Sequence, residues 1–245
     1  MYELVSLVNR QYGFEGIAMK LQRKPQEPGK TGKVTRPQDP EGTRRNILEV
    51  ASKEFALNGL SGARIDEIAA RTRSSKRMIY YYFGDKEGLY LHALENAYRL
   101  VRDGETKLDT DGLAPPEALR KLVEFTFDHH RRHEEFIRMV MIENIHHGQY
   151  LERSDIIREV NKTAIDHIAR IYHRGVSDGT FRAGIDPVDL HWQVSALCFF
   201  NVSNRATFAK IFDRDLDSEA AQARLRNNTV ATILRFVSLR PDMAS

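Results

Sequence analysis

The sequence predicts an all-α protein, and three observations carry that prediction. Apolar residues recur at helical spacing through most of the chain from Thr43 onward. No segment alternates apolar and polar residues as a half-buried strand does. The breaks between periodic stretches fall at Gly, Pro, Asn and Asp. No unit repeats along the chain.

The elements follow in order. Ile47, Ala51 and Phe55, with Leu48 and Val50 widening the stripe, predict a helix from Thr43 that Asn58-Gly59 stops. A short helix passes through Ile65, Ile68 and Ala69, and another starts near Ser75. Gly84-Asp85-Lys86 separates that one from a longer helix running from Lys86 to about Val101. Asp103-Gly104 then opens a polar break lasting to Pro115-Pro116. Leu119, Leu122, Val123 and Thr126 line one long helix, and Phe136, Ile137, Val140, Met141 and Ile145 the next. Ile157, Val160, Ala164, Ile168 and Ile171 line a third, ended by Asp178-Gly179. Asp186-Pro187 is a start signal, with Asp as N-cap and Pro at the first helical position; that helix runs through Leu190, Val194 and Leu197 to about Ala209. A last helix begins after Ser218 and ends before Pro241.

At 245 residues and 41% hydrophobic, the chain can bury a core of one large or two small domains. No uncharged apolar run approaches the roughly 18 residues of a membrane span; Asn, Ser and Arg interrupt even the most apolar stretch, Val194 to Phe208. The N-terminus lacks a basic start followed by an apolar run, which argues against a secretory signal. Cys198 is the single cysteine, so there is neither an internal disulfide framework nor a thiolate zinc site, and a reducing cytoplasmic setting fits. The net charge of +3 is unevenly spread: residues 1–40 carry seven bases against four acids, residues 41–104 eleven against nine, and the remainder is net acidic. That asymmetry permits a polyanionic partner for the N-terminal part. Residues 20–42 are rich in Pro, Gly, Lys and Arg with almost nothing to bury, so residues 1–42 are expected to form a disordered, partly basic arm. Met19 opens the basic stretch, and translation starting there is the corresponding expectation for residues 1–18.

Residues 59–87, GLSGARIDEIAARTRSSKRMIYYYFGDKE, read as two short helices joined by Thr72-Arg73-Ser74, with Ser75 placed to cap the second. This matches a helix-turn-helix, whose second helix enters the major groove. Arg71, Arg73, Lys76 and Arg77 form a run of bases without an acid, and Tyr80, Tyr81 and Tyr82 follow. Tyrosine hydroxyls donate to phosphate oxygens while their rings lie on sugars. Three adjacent tyrosines cannot all face one core, so at least one is expected outside. From charge and periodicity alone, a solvated basic face with tyrosines packed on the first helix fits equally well.

The segment resembles the DNA-binding region of the TetR (tetracycline-repressor) family of bacterial transcription regulators, on Gly59, Ile65, Ile68-Ala69, Ser75, Tyr80, Tyr82-Phe83 and Lys86-Glu87. The helix at Thr43 supplies the family's first helix. The resemblance implies an N-terminal three-helix helix-turn-helix domain over residues 43–104 with its connecting helix, then a helical-bundle domain over 105–245 that dimerises and binds a small molecule. It implies phosphate contacts for Ser75, Tyr80, Tyr81 and Lys86, base reading for Lys76, Arg77, Met78 and Tyr81, and a phosphate or base contact for Arg64; Tyr82 completes the candidate set. Three positions depart from the pattern. Ala63 replaces a Thr that caps the second helix. Arg73 replaces a turn Gly, which argues against a left-handed backbone there. Arg77 replaces a small residue and suits either guanine O6/N7 or a phosphate.

In the C-terminal half the resemblance implies a four-helix dimer bundle from the last two long helices, about 187–209 and 219–239. Leu190, Val194, Leu197, Phe200 and Val202 on one, with Ala220, Ala223, Val230, Ile233, Leu234 and Val237 on the other, suit either a dimer or an intrachain core. One helix-turn-helix reads few base pairs, and two half-sites need a two-fold protein. The expected partners are therefore a palindromic double-stranded DNA operator, a second copy of the chain and a small-molecule effector, with no membrane. Candidates for the effector pocket are Phe125, His129, Met141, His146, Tyr172 and Trp192, each of which also serves as an ordinary core residue.

Two competing readings are a helical metalloenzyme and a protein-only adaptor. His129 and His133 share a helical face, and Glu143 and His146 have the Glu-x-x-His spacing of di-iron bundles, but no second such pair exists. With no G-x-S-x-G, H-E-x-x-H or Gly-rich phosphate loop, no catalysis, metal or cofactor is expected. The reading is a ligand-responsive DNA-binding repressor.

Overall fold

Asp39 accepts a hydrogen bond from the Gly42 N–H at 2.8 Å, and Pro40 takes the first helical position. Together they start α1 (Pro40–Gly62) three residues ahead of the Thr43 expected from periodicity. The computed structural model describes residues 39–239, so nearly all of the expected arm, and the expected start at Met19, lie outside the described residues. Gly59 breaks the regular winding of α1 with φ 65°, so Asn58-Gly59 does end the regular part of the first helix.

The head continues through α2 (Ile65–Thr72) and α3 (Lys76–Phe83) into α4 (Lys86–Thr106). Ile47, Phe55, Ile68, Ile79, Leu89 and Tyr90 bury their side chains together, with Met139, Tyr150 and Ile157 reaching in from the body. α4 does not stop at Asp103-Gly104. The Phe125 ring occupies the space a Cβ at Gly104 would need, so this glycine allows close approach inside a helix and ends nothing. α4 thus runs on past residue 104, from Leu89 and Tyr90 in one cluster to Ala97 and Val101, which pack with Phe136 and Ile137.

The body comprises α5 (Pro115–Arg132), α6 (Glu134–Ile145), α7 (Asp155–Ser177), α8 (Pro187–Ser203), α9 (Arg205–Phe212) and α10 (Glu219–Val237). Its core joins Leu119, Val123 and Phe127 of α5 to Ile168 and Ile171 of α7, Leu190 and Cys198 of α8, and Val230 and Ile233 of α10. Ser154, Asp186 and Ser218 cap α7, α8 and α10, each accepting from a backbone N–H of the first turn, a contribution of about 1 kcal/mol apiece. Burial of Cys198 pushes its thiol up to about 12, leaving it an inert core residue.

Three sequence expectations change here. The helix expected over 187–209 divides at Asn204, which closes α8 by donating to Phe200 O and opens α9 by accepting from Phe208 N; Arg205 turns away to ion pairs with Glu134 and Asp217. Ile145 is exposed at the end of α6. The apolar residues of the two long C-terminal helices serve two ends: Leu190, Val194, Val230, Ile233, Leu234 and Val237 fill the chain's own core, Val202 is half-buried, and Leu197, Phe200, Ala220 and Ala223 face outward. Among the described residues the only β pairing is an isolated bridge between Phe181 and Ser238.

Candidate nucleic-acid interface

α2 begins without a side-chain cap: Ala63 is buried and offers no hydroxyl. Glu54 on α1 reaches across instead, accepting from the Arg64 backbone N–H at 3.2 Å and from Asn58 at 3.0 Å, with Arg71 3.8 Å away. A carboxylate at a helix start also suits the helix dipole. Ten residues separate Glu54 from Arg64, so no local pattern announced it.

The turn between α2 and α3 is left-handed. Arg73 has φ 53° and ψ 30°, contrary to the expectation drawn from its side chain; Arg73 N–H donates to Ala70 O and Ser74 N–H to Ala69 O, and the Thr72 hydroxyl donates to Ile68 O at 2.7 Å, so α2 closes without the Arg73 side chain. Ser75 then accepts from the Met78 N–H at 3.1 Å and caps α3.

α3 buries Ile79 and Phe83 against the head and holds Tyr82 half-buried beside them. Its other face is open. Tyr81 is 80% exposed, and Arg77, Met78 and Tyr80 are exposed beside it. Arg77 and Tyr81 stand one helical turn apart on that face. Lys76 lies at the same end but pairs with Asp66 of α2. Lys86, half-buried at the start of α4, donates to Ser61 O at 3.1 Å, and Arg64 is exposed at the start of α2. The expected set therefore divides. Ser75, Arg77, Met78, Tyr80 and Tyr81 are exposed, Lys76 is also exposed but paired at the surface with Asp66, and Tyr82 and Lys86 are half-buried against the head.

Residues 47–93 match the family described as bacterial regulatory proteins, tetR family, and residues 115–233 match the tetracyclin repressor-like C-terminal domain. The chain is 38% identical over 194 residues to the HTH-type transcriptional repressor NicS of Pseudomonas putida, covering 79% of this chain and 91% of that protein. The chain belongs to the TetR family. As a member it is a DNA-binding transcription regulator and not an enzyme. Two solved structures share the fold. A tetR-family regulatory protein from Rhodococcus RHA1 is 21% identical with a TM-score of 0.62, covering 80% of this chain and 97% of its own. AibR in complex with isovaleryl coenzyme A and operator DNA is 18% identical with a TM-score of 0.59, covering 78% and 97%.

Within this TetR-family body the six effector candidates scatter. Only Phe125 and His129 meet, with ring centroids 5.6 Å apart. His129 lies 4.2 Å from the His133 ring and helps line a crevice of about 310 Å³ shared with Arg45 and Lys53 of α1, Asn96 and Leu100 of α4, and Phe136. Met141 lines a separate crevice with Leu57, Arg138 and Ile142. His146 is exposed at the end of α6. The Tyr172 hydroxyl donates to Arg182 O at 3.0 Å and accepts from the Ile185 N–H at 2.9 Å, which pins the loop before α8 and leaves it no free role. Trp192 is 71% exposed on α8.

Sequence reasoning missed the polar interior. Arg102 on α4 donates through Nη1 to both Glu105 oxygens at 2.7 Å and through Nη2 to Asn161 Oδ1 of α7 at 2.8 Å. His130 and His191 are driven down to about 3 and 4, first by burial and then by neighbouring positive charge that includes Arg102. The signal is an arginine and a glutamate three residues apart on α4, just past Val101, where apolar periodicity ends.

Proposed function

We propose that the chain is a dimeric repressor that holds a two-fold operator through α3 and releases it when a small molecule binds the body. The observation that carries this reading is the outward face of α3. Arg77 and Tyr81 are exposed, with Met78 and Tyr80 partly open beside them, while Ile79 and Phe83 anchor the same helix from behind. That division of one helix into an anchored and a free face suits insertion into a major groove, with Ser75, Tyr80 and Tyr81 set to meet phosphates.

A second copy has a surface to meet. Trp192, Leu197 and Phe200 of α8 and Phe208, Ile211 and Phe212 of α9 are exposed apolar side chains, with the Phe208 ring 6.1 Å from that of Phe200 and 4.5 Å from that of Phe212, and exposed apolar clusters mark interaction surfaces. A two-fold pairing there would present two α3 helices to half-sites about one helical turn apart. NicS is a transcriptional repressor by name, which favours repression over activation, and a cytoplasmic setting follows from that role; among the described residues no helix is long and apolar enough to cross a membrane.

Effector response rests on α4. Leu89 and Tyr90 belong to the core of the head, and Ala97 and Val101 pack with Phe136 and Ile137 of the body. A ligand that binds better when the body holds α4 in another position shifts the population of α3 spacings and lowers operator affinity by the coupling free energy. Nuclease footprinting of the chain's own upstream DNA tests the whole reading. Two protected half-sites about one turn apart, lost on addition of a metabolite that also raises the thermal midpoint, are expected. Protection of a single unpaired site, or of none, would overturn it.

A further inference from the structure

Arg73 occupies a backbone conformation that glycine adopts freely and arginine does not, with φ 53°. Nothing in the turn needs its side chain, because the closing bonds to Ala69 and Ala70 are made by the Arg73 and Ser74 backbone N–H groups and the Thr72 hydroxyl. Glycine would form the same turn with less strain. The side chain is exposed and stands two residues before Ser75, at the end of α3 that leads into a groove. Of the four bases around this turn, Arg71 lies beside Glu54 and Lys76 is paired with Asp66. Arg73 and Arg77 have no acidic partner among the described residues.

We infer that Arg73 is a phosphate clamp: its guanidinium grips a backbone phosphate at the groove edge and sets how the first turn of α3 enters. Backbone strain at an exposed residue whose side chain makes no local bond fits a position held for contact with a partner. A planar guanidinium suits two oxygens of one phosphodiester. The contact is independent of sequence, unlike a guanine contact by Arg77. This inference rests on α3 being the DNA-reading helix.

Arg73→Gly separates the two roles of the residue. Binding of the full chain to a random-sequence duplex and to its upstream DNA is measured by fluorescence anisotropy across a salt series, beside thermal unfolding. Arg73→Gly is expected to raise the unfolding midpoint, weaken both complexes several-fold, and reduce the slope of log affinity against log salt by about 1. Arg73→Lys is expected to keep most of the slope. A variant that is more stable but has unchanged affinity and slope overturns the clamp and leaves the α3 reading intact, provided Arg77→Ala weakens the upstream complex. If neither Arg73→Gly nor Arg77→Ala alters binding to either duplex, both inferences fall.

Discussion

The Tyr90 hydroxyl of α4 donates to Glu143 Oε1 of α6 at 2.8 Å, inside a core that also holds Phe55 of α1 and Tyr150. Glu143 is 1% exposed, and its second oxygen accepts from the backbone N–H groups of Tyr150 and Leu151. Burial, reinforced by this carboxylate, raises the Tyr90 pKa, so the hydroxyl keeps its proton and its role as donor. One carboxylate thus joins the head, α6 and the segment leading to α7. Tyr90→Phe leaves a buried acceptor short of a donor and is expected to lower stability by about 1–3 kcal/mol. Urea unfolding checks this, and an unchanged midpoint would remove the joint from the account of head and body.

Arg77→Ala is expected to weaken operator binding by about 1–3 kcal/mol and to relax preference at one base position, since a free arginine on the outer face of α3 suits guanine O6 and N7. Selection from a randomised half-site reads this directly. Equal weakening on every sequence would reassign Arg77 to a phosphate.

The buried histidines give the body a pH dependence with a definite sign. Burial first, then the positive charge of neighbours including His133, Arg132 and Arg102, holds His129 near about 4, against an ordinary value of 6.5. His130 and His191 are lowered in the same way. The unfolded chain therefore takes up protons before the folded one does. Stability from these groups is complete above pH 6.5 and drains away as pH falls toward about 4. Thermal midpoints should drop through that window, and a His129→Asn, His130→Asn double variant should drop less. A wild-type midpoint that holds steady over the same range would contradict the burial of neutral imidazoles.

Phe200 and Ile211 stand 51% and 71% exposed on α8 and α9. A carboxylate at either position would lie within the uncovered apolar face. Phe200→Glu and Ile211→Glu are each expected to convert a dimer into a monomer at micromolar concentration and to weaken operator binding, with the fold unchanged by circular dichroism. Sedimentation equilibrium measures the first effect. Variants as dimeric as the parent would locate the two-fold contact elsewhere.

Much of this architecture is legible without coordinates because it rests on local chemistry. The caps at Ser75, Asp186 and Ser218 stand where residue type and spacing put them, and the tyrosine triplet divides between face and core as helical geometry requires. What escapes is set by contacts distant in sequence. Gly104 reads as a helix stop until Phe125 is seen against it. The Asp39-Pro40 start is a clear local signal, masked by the arm composition around it. Lys76 reads as a free base until α2 folds back and brings Asp66 to it. The effector candidates are polar or aromatic residues on otherwise apolar helix faces, and that pattern does not tell Tyr172, whose hydroxyl is fully bonded to a loop, from His129 beside a crevice.

The central claim is that the open face of α3 presses into duplex DNA. Electrophoretic retardation of the chain's own upstream duplex against a scrambled duplex of equal length, over a range of salt, measures it most directly. The expected result is preferential retardation of the upstream duplex, weakening steeply with salt as phosphate contacts require, and reduced by Arg77→Ala. Equal retardation of both duplexes at every salt concentration, or none of either, would contradict it.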